Sequence, residues 1–503
     1  MTTHWNAVRQ IAQAVRSFYN RRESFRIFHG STNSTRPRPG GPEVDISALS
    51  HIIEVNRESQ SALVEPNVPM DKLVAATLRE GLIPPVVMEF PGITAGGGFA
   101  GSSAESSSFK QGYFHETVKS IEMVLGNGDI VTASDVENRD LFTGAAGALG
   151  TLGITTLLEL RLVPAKRFVH ATYHRTHSVE ETLDTLKTEV SNLANDYVDG
   201  VMFSDTFGVV ITGIMTNDLP QDTVPRTFSG SWDLWYYLHL KNKDQRSEHL
   251  LRSSDYLPLP EYLFRWDRGG FWVGKGAFDY FGFIPFNKLN RWFLDDFMHT
   301  RMLYRALHGS NESFGYMVQD LSLPYSTTQE FISYAGEELN IWPLWLCPLR
   351  EIEGPTFHPF TTLPGPDEKP KPMVNIGVWG QASRDLSTFV RENRRMEQVL
   401  RDLGGRKVLY AHTYYTEDEF WELYDKKWYE NLRDRYQARS LPTIYDKIKP
   451  DLTTQENRTW TDWLKSIWPL PGVRGVAAAI RSRDYIFHRN KPWKYTENQR
   501  DPS

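Results

Sequence analysis

Residues 90–112 read FPGITAGGGFAGSSAESSSFKQG, a run of small residues with almost nothing to bury. Glycine loses more backbone entropy on folding than any other residue, so a protein does not use so many of them for packing alone. Such a run leaves backbone N–H groups bare, and they can approach an extended or anionic ligand with serine and threonine hydroxyls beside them. The run therefore predicts a binding segment around which the first domain is organised.

Two further small-residue loops occur in the first 165 residues. A short apolar strand at 25–29 leads into GSTNST at 30–35, where consecutive N–H groups and hydroxyls suit a pyrophosphate, although an ordinary loop is an open alternative. The third loop, GAAGALGTLG at 144–153, precedes a β-branched strand at 154–163. Alternating strands and helices with three such loops predict an α/β unit that grips one extended ligand at several points.

Composition narrows the classes of function. A chain of 503 residues with 40% hydrophobic content is long enough for two to three domains, and a net charge of −6 gives no overall attraction to nucleic acid. The single cysteine, Cys347, excludes an intramolecular disulfide and a cysteine-rich metal cluster, and it suits a reducing compartment. No H-E-x-x-H or G-x-S-x-G motif occurs, so neither a zinc protease nor a serine hydrolase is indicated, and we expect no metal.

Apolar residues from Trp5 to Phe18 recur at helical spacing and predict an amphipathic N-terminal helix. Packing on the first domain is favoured for it over a membrane-surface role. No run is long and apolar enough to span a bilayer, so the sequence predicts a protein that is soluble or peripheral on a membrane. The tail between Trp460 and Arg489, rich in tryptophan and arginine, is a candidate membrane contact, with a packed or disordered tail as the alternative.

Periodicity predicts the remaining elements. We expect a strand at 61–66, a helix from Met70 to Leu78 that stops at Gly81, and a hairpin of 118–125 with 130–132. Beyond residue 165 we expect mostly strands covered by helices. The expected helices are 179–193 and 417–436, and the expected strands are two within 201–215, then 341–346, 374–379 and 408–412. The resulting fold class is α+β, with a mostly antiparallel second sheet.

Gly96, Gly98 and Gly101 satisfy the dinucleotide fingerprint G-x-G-x-x-G. In a Rossmann fold this motif follows a hydrophobic strand and opens a helix. Here Phe90-Pro91-Gly92 precedes it and serines follow it, so the sequence argues against a Rossmann site.

Three stretches together resemble the PCMH-type FAD domain of the vanillyl-alcohol oxidase superfamily: RIFHGSTNS at 26–34, ITAGG at 93–97, and DLF at 140–142 leading to GTLGI at 150–154. Longer words spread over the sequence resemble the Δ24-sterol reductase family more closely. They include VEPNVPM from Val64, ESSSFKQGYF from Glu105, IWPLWLCP from Ile341, LYAHTYYTEDEFW from Leu409 and IYDKI from Ile444.

The resemblance implies a two-subdomain FAD-binding domain at 1–165, a cap domain at 166–415, a helical segment at 416–450 that packs back on the FAD domain, and a tail at 451–503. It implies noncovalent FAD, because Thr32 stands where covalent relatives carry the linking histidine. The cofactor-binding residues that it implies are Gly30, Ser31, Thr32, Asn33, Ser34, Thr94, Ala95, Gly96, Gly97, Gly98, Gly101, Ser102, Ser106, Gly150, Thr151, Gly153 and Ile154.

The activity implied by the resemblance is reduction, with NADPH, of a carbon–carbon double bond in the side chain of a sterol-like substrate. The location that it implies is intracellular, either cytoplasmic or peripheral on the endoplasmic reticulum membrane. Hydride cannot add to an unpolarised alkene unless a proton arrives too, so the site needs an acid and an apolar channel. The preferred catalytic candidates are Glu105, Tyr113, His412 and Tyr414, with His115, His358 and Tyr415 also considered. Trp342, Trp345 and Trp379 would line the channel or belong to the core.

Two other functions stay open at this point. One is an FAD-linked oxidase or dehydrogenase of another metabolite, and the other is a binding module without catalysis. The sequence departs from the family pattern at TAGGGFAGSS (94–103) and at Phe109, which bears on the substrate more than on the cofactor. The expected partner is a hydrophobic small molecule and not a nucleic acid, because the aromatic residues lie in core-like segments.

Overall fold

The computed structural model describes residues 2–30, 40–246, 252–310, 315–360, 370–452, 468–491 and 493–494. The strands are β1 (Arg26–Phe28), β2 (Glu43–Asp45), β3 (Ile52–Asn56), β4 (Ser61–Val64), β5 (Leu82–Ile83), β6 (Val118–Leu125), β7 (Ile130–Ser134), β8 (Gly153–Arg161), β9 (Val163–Pro164), β10 (Phe168–Thr176), β11 (Tyr197–Ser204), β12 (Phe207–Thr216), β13 (Arg252–Pro258), β14 (Tyr316–Pro324), β15 (Leu344–Leu349), β16 (Met373–Gln381) and β17 (Arg406–Lys407).

The helices of the described ranges are α1 (Thr2–Arg21), α2 (Met70–Leu78), α3 (Ala95–Ala100), α4 (Ser108–Gln111), α5 (Arg139–Ala145), α6 (Val179–Ser191), α7 (Tyr236–Arg246), α8 (Leu259–Leu263), α9 (Val273–Phe281), α10 (Lys288–Phe293), α11 (Thr300–Ser310), α12 (Tyr325–Glu337), α13 (Leu386–Asp402), α14 (Glu417–Leu423), α15 (Lys426–Arg435), α16 (Ile444–Ile448), α17 (Leu470–Ser482) and α18 (Tyr485–Arg489). Short 3₁₀ turns lie at Phe114–Thr117, Asp295–Phe297 and Ala438–Ser440.

The N-terminal part is built on a five-stranded sheet in the order β3-β4-β8-β6-β7, antiparallel throughout. The predicted hairpin is confirmed, because β6 pairs with β7 from Ser120 opposite Ser134. The predicted N-terminal helix is also confirmed as α1, which buries Val8 and Val15 and contacts β6. Gly128 in the hairpin turn has a φ of +86°, a conformation that favours glycine.

The glycine-rich run is more tightly packed than its composition indicates. Residues Ala95–Ala100 form α3, whose N-cap Thr94 accepts a hydrogen bond from the N–H of Gly97 at 3.1 Å. Phe99 on this helix is fully buried, so the expectation that the run buries almost nothing is wrong at this residue. The glycines permit the close packing, because a Cβ on Gly96 would lie 2.6 Å from the Cβ of Pro66.

The second part contains one eight-stranded sheet in the order β13-β10-β12-β11-β15-β16-β14-β17. Every adjacent pair is antiparallel, which confirms the predicted α+β fold with its second sheet. Helices α6 and α12 cover the sheet, and Leu186 and Phe331 on them join its buried core. The two strands expected within 201–215 are β11 and β12, which extend further at both ends than predicted.

Two predicted elements differ from the structure. The strand expected at 408–412 is a loop, since only Arg406 and Lys407 pair with β14 at the edge of the sheet. Lys407 then donates from Nζ to the carbonyl of His412 at 2.7 Å, which folds this segment back. The helix expected at 417–436 is divided into α14 and α15, because Asp425 caps a new helix by accepting from the N–H of Trp428.

The C-terminal helix α17 packs along α11. The contact is close because glycines meet there: a Cβ on Gly309 would lie 3.2 Å from the Cα of Gly475. Arg474 of α17 also donates to the carbonyl of Ser310 at 3.4 Å. Within the described ranges, no helix has the length and apolarity needed to cross a membrane.

Candidate functional site

One large cavity, of about 1950 Å³, lies between the glycine-rich run and the eight-stranded sheet. Pockets for single small ligands commonly measure about 300–1,000 Å³. The cavity therefore has room for a dinucleotide together with a second molecule. One end is lined by small residues of the N-terminal part, and the other by aromatic and aliphatic side chains of the second part.

The small-residue end contains many of the predicted cofactor-binding residues. Those that line the cavity are Thr94, Gly96, Gly97, Gly101, Ser102, Gly150, Gly153 and Ile154. Four others, Ala95, Gly98, Ser106 and Thr151, are buried behind this wall and do not line it. Gly30 has a φ of +77° and is not part of the lining, while Ser31, Thr32, Asn33 and Ser34 lie outside the described residues.

Ser102 is the clearest sign that this wall receives a polar ligand. It has a φ of +58°, which is uncommon for a residue other than glycine and concentrates at functional sites. Its hydroxyl is buried and has no hydrogen-bond partner within the described ranges. Gly150, with a φ of +70°, lines the same wall, where a Cβ would lie 3.0 Å from Ile27. Bare backbone and a free hydroxyl therefore fit a cofactor such as FAD.

Several lining residues were not predicted. Asn67 and Thr155 supply polar groups, and Arg26, Lys447 and Lys449 supply positive charge that suits a pyrophosphate. Lys447 also donates to the carbonyl of Leu149 in the third small-residue loop. The segment IYDKI, which contains Lys447, carries part of the family resemblance, so this signal was present in the sequence.

The opposite end of the cavity is aromatic. Phe271 lies with its ring centroid 4.3 Å from that of Trp379 and 5.4 Å from that of Trp345, and all three line the cavity. Trp342 is not part of the lining, and it packs instead against Gly336. Two of the three tryptophans considered for the channel are therefore at the cavity, and the third belongs to the core.

The four preferred catalytic candidates do not all lie at the cavity. Glu105, Tyr113 and His412 line the cavity, whereas Tyr414 does not. The backbone N–H of Tyr414 donates to Glu397 at 2.9 Å, and its ring packs near Phe389. Tyr415, a further candidate, donates its hydroxyl to the carbonyl of Glu397 and also lies outside the lining.

The hydroxyl of Tyr113 is already engaged, because it donates to the carbonyl of Pro359 at 3.0 Å. His115 and His358 lie outside the lining, with their ring centroids 4.1 Å apart. Burial lowers the pKa of His115 to about 3, and burial also lowers the pKa of His358 well below its usual value. Both imidazoles are neutral near pH 7 and carry no proton suited to acid catalysis.

A cluster of buried charged groups lies at the cavity wall, and its central member was not predicted. Arg265 donates from one terminal nitrogen to Glu89 at 3.2 Å and to Asp199 at 2.9 Å. Glu105 accepts a hydrogen bond from the backbone N–H of Glu89 at 3.2 Å. Trp345 donates its indole N–H to Asp199 at 3.1 Å. Glu89 directly precedes the run that begins at Phe90, but nothing in its sequence context indicates that it is buried beside an arginine.

Burial decides the protonation of the two glutamates. It raises the pKa of Glu89 to about 8, although the positive charge of Arg265 acts in the opposite direction. Burial, followed by the charge of Glu89, raises the pKa of Glu105 well above its usual value. Near pH 7 Glu89 therefore holds a proton, and the raised pKa of Glu105 favours its protonated form.

A second acid faces the cavity from strand β14. Asp320 accepts a hydrogen bond from the amide of Asn375 at 2.9 Å, and both residues line the cavity together with Tyr410. Burial raises the pKa of Asp320 to about 6, so this carboxyl is mostly ionised near pH 7. Within the described ranges, no group of three or more His, Cys, Asp or Glu side chains is arranged to hold a metal ion.

Comparison with known proteins agrees with this geometry. Residues 6–134 match a family model described as an FAD binding domain. The chain is 28% identical to Delta(24)-sterol reductase of Mus musculus over 411 residues, which cover 80% of this chain and 76% of the relative. It is 27% identical to Delta(24)-sterol reductase of Arabidopsis thaliana, with coverage of 82% and 78%. A shorter match, 30% over 168 residues, joins it to Cytokinin dehydrogenase 4 of Oryza sativa subsp. japonica, with coverage of 33% and 31%.

Proposed function

We propose that this chain, which is similar to Delta(24)-sterol reductases over about 80% of its length and contains an FAD binding domain, reduces a carbon–carbon double bond in the side chain of a sterol-like substrate. FAD is the bound cofactor and NADPH is the electron donor in this proposal. The observation that carries it is a single cavity in which a polar, glycine-lined end adjoins an aromatic end, with buried acids at the wall.

The residues present assign the parts of the cofactor site. Thr94 to Ser102 and Gly150 to Ile154 would hold FAD through backbone N–H groups and hydroxyls, and Gly30 to Ser34 would complete the site. Thr32 stands at the position of the linking histidine of covalent relatives, so the cofactor is bound noncovalently. When bound and reduced, FAD supplies a hydride to the substrate.

The aromatic end suits both the substrate and the charge that develops on it. Phe271, Trp345 and Trp379 exclude water from an apolar side chain. Protonation of the alkene at its less substituted carbon places positive character on the tertiary carbon, and the faces of these rings stabilise a cation. The proton must come from an acid at the cavity wall, and of the predicted candidates Glu105, Tyr113 and His412 lie there.

We also propose the domain division 1–165, 166–415, 416–450 and 451–503. Contacts of the third segment with the first support it: the hydroxyl of Tyr429 donates to Thr151 at 2.8 Å, and Arg433 donates to the carbonyl of Thr151 at 2.9 Å. Arg435 pairs with Asp140 at 2.7 Å. The two bonds to Thr151 tie the helical segment to the third small-residue loop, and the ion pair with Asp140 ties it to α5.

The decisive experiment separates the two half-reactions. Purified protein is reduced anaerobically with NADPH, and a Δ24-unsaturated sterol is then added while the flavin absorbance is followed. We expect bleaching by NADPH, faster than by NADH, and recovery on addition of the sterol with formation of the saturated product. Hydrogen peroxide formation from an alcohol substrate without reduction by NADPH would instead indicate an oxidase, and a colourless protein that takes up no FAD would exclude both.

A peripheral membrane contact is part of the proposal, because it would bring a sterol to the cavity. Twelve of the nineteen large apolar side chains that are exposed in the described ranges fall within residues 232–293 and 468–487. Residues 468–494 contain six lysines and arginines against one aspartate, in a protein of net charge −6. The inner face of α17 lines the cavity, while its outer face exposes Leu470, Val473 and Ile480. An apolar face beside basic residues suits an anionic lipid surface.

The membrane contact is tested by co-sedimentation with vesicles of phosphatidylcholine and phosphatidylserine. Replacing Val473 and Ile480 together by aspartate should reduce the bound fraction severalfold. Val136, which is 96% exposed and lies in the β7–α5 connection, gives the control Val136→Asp. Equal binding by all three proteins would contradict the contact.

A further inference from the structure

Three buried carboxyl groups lie near one guanidinium at the wall of the cavity: Arg265 bonds Glu89 and Asp199, and Glu105 bonds the backbone of Glu89. Glu89, Glu105 and Asp199 are each at most 8% exposed, and Arg265 is 2% exposed. One arginine can neutralise one carboxylate, and a second ionised carboxylate in the same dry environment would be strongly disfavoured. At least two of the three groups therefore carry a proton.

The hydrogen bonds identify which group is ionised. Asp199 has the shorter contact with Arg265, 2.9 Å against 3.2 Å for Glu89, and it also accepts from the indole of Trp345. Donors favour the charged form of a carboxylate. Glu105 Oε2 and Asp199 Oδ1 are both buried with no partner within bonding distance in the described ranges, so the two donors on Asp199 Oδ2 decide between these groups. Asp199 is thus the ionised partner of Arg265, and Glu89 and Glu105 hold the protons.

We propose that Glu89 is the proton donor for the alkene, and that Glu105 is a positioning residue that holds it at the wall. This inference rests on the proposed reductase function and deepens it. Glu89 lines the cavity and immediately precedes Phe90, which also lines it. Glu105 fixes the backbone at Glu89 through the 3.2 Å hydrogen bond, and its own N–H donates to the hydroxyl of Ser108 at 2.8 Å.

The step balances without any further co-reactant. The O–H bond of Glu89 breaks and its electron pair stays on the carboxylate, while the π pair of the alkene forms a C–H bond at the less substituted carbon. The tertiary carbon accepts the hydride supplied by the reduced cofactor, whose two electrons come from NADPH. The new carboxylate accepts from Arg265 at 3.2 Å but shares that guanidinium with ionised Asp199, so its charge is only partly offset and it regains a proton from solvent.

The other groups at the wall are less suited to the role. Asp320 accepts from Asn375 and is mostly ionised near pH 7. Tyr113 commits its hydroxyl proton to the carbonyl of Pro359. The charged or titratable groups that act on Glu89 are Arg265, Asp199, Glu105 and Asp320.

The kinetic test compares Glu89→Gln with Asp320→Asn. Glutamine keeps the shape of the side chain and removes the acidic proton. We expect both variants to bind FAD and to be reduced by NADPH at the wild-type rate. Reoxidation by a Δ24-unsaturated sterol should be slowed about 10²–10⁴-fold in Glu89→Gln, the usual contribution of a general acid. It should remain at least tenfold faster in Asp320→Asn than in Glu89→Gln, and the opposite order would overturn the proposal.

A spectroscopic test does not depend on turnover. The infrared spectrum near pH 7 should show the C=O stretch of a protonated, buried carboxyl group that disappears in Glu89→Gln and persists in Asp320→Asn. A spectrum unchanged by Glu89→Gln would overturn the assignment. If Glu89→Gln fails to fold, Glu89→Asp replaces it in both tests. The shorter side chain keeps the carboxyl group but withdraws it from the cavity. An unchanged rate of reoxidation in Glu89→Asp would then refute the proposal.

The two tests distinguish the failure of this inference from that of the function. Reduced wild-type protein that no Δ24-unsaturated sterol reoxidises would contradict the proposed reductase. Wild-type reoxidation together with undiminished reoxidation of Glu89→Gln would leave the reductase in place and overturn the role of Glu89.

Discussion

The protonation of Glu89 has a measurable effect on stability. Its pKa is about 8 in the folded protein because of burial, against an ordinary value of 4.5. Between these values the folded protein holds a proton that the unfolded protein releases. A group of this kind makes folding less favourable as the pH rises, so the free energy of unfolding should fall between pH 5 and pH 8. Glu89→Gln removes this contribution.

The magnitude follows from proton linkage. One proton of difference changes the free energy of unfolding by about 1.4 kcal/mol per pH unit, so the range from pH 5 to pH 8 corresponds to about 4 kcal/mol. The difference in stability between Glu89→Gln and the wild type should therefore shift in favour of the variant by about this amount as the pH rises.

Urea unfolding followed by tryptophan fluorescence at pH 5, 6, 7 and 8, at one FAD concentration, measures the effect. Glu58→Gln is the matched control, because Glu58 is exposed and its curve should run parallel to that of the wild type. Curves of Glu89→Gln and wild type that stay parallel to within about 1 kcal/mol would refute the reasoning.

Two further predictions concern the same wall. Arg265→Met should lower the free energy of unfolding at pH 7 by about 3–5 kcal/mol, because a buried carboxylate loses its partner. Adding Asp199→Asn to this variant should restore most of the lost stability. If the losses of the two single variants simply add in urea unfolding, the pairing of Arg265 with Asp199 is contradicted. Gly96→Ala should weaken FAD binding about 10–100-fold, since overpacking against Pro66 costs about 1–3 kcal/mol. Quenching of flavin fluorescence measures the affinity, and Gly354→Ala, outside the cavity lining and with Phe360 as the nearest described neighbour of the added methyl group at 3.7 Å, should bind FAD as tightly as the wild type.

Local patterns predicted the elements that depend on near neighbours in the sequence. Helices α1 and α2 follow from apolar residues at helical spacing, and the β6–β7 hairpin follows from its glycine-containing turn. The predictions at 408–412 and 417–436 were wrong where a side chain intervened. Lys407 bonds back to the carbonyl of His412, and Asp425 starts a second helix. Such contacts depend on which groups face each other in space.

Some residues of the candidate site were predicted correctly from the sequence and others were not. Gly96, Gly101 and Ser102 were expected to bind a ligand from composition and resemblance, and the structure places them at the cavity. Tyr414 had an equally strong resemblance but lies outside the cavity lining, where its backbone N–H donates to Glu397 and its ring packs near Phe389. A motif shows that residues belong together in sequence, but it does not show which side of the backbone meets the cavity.

The sequence by itself determined the α+β class, the small-residue loops that indicate FAD, and the similarity to Delta(24)-sterol reductases, because these properties reside in short, contiguous segments. Only the tertiary structure decided that Glu89 belongs to the site. Its partner Arg265 lies 176 residues away in the sequence, and Asp199 and Trp345 come from different strands of the second sheet. The protonation of a carboxyl group depends on burial and on nearby charge, and both are set by residues that meet only after folding.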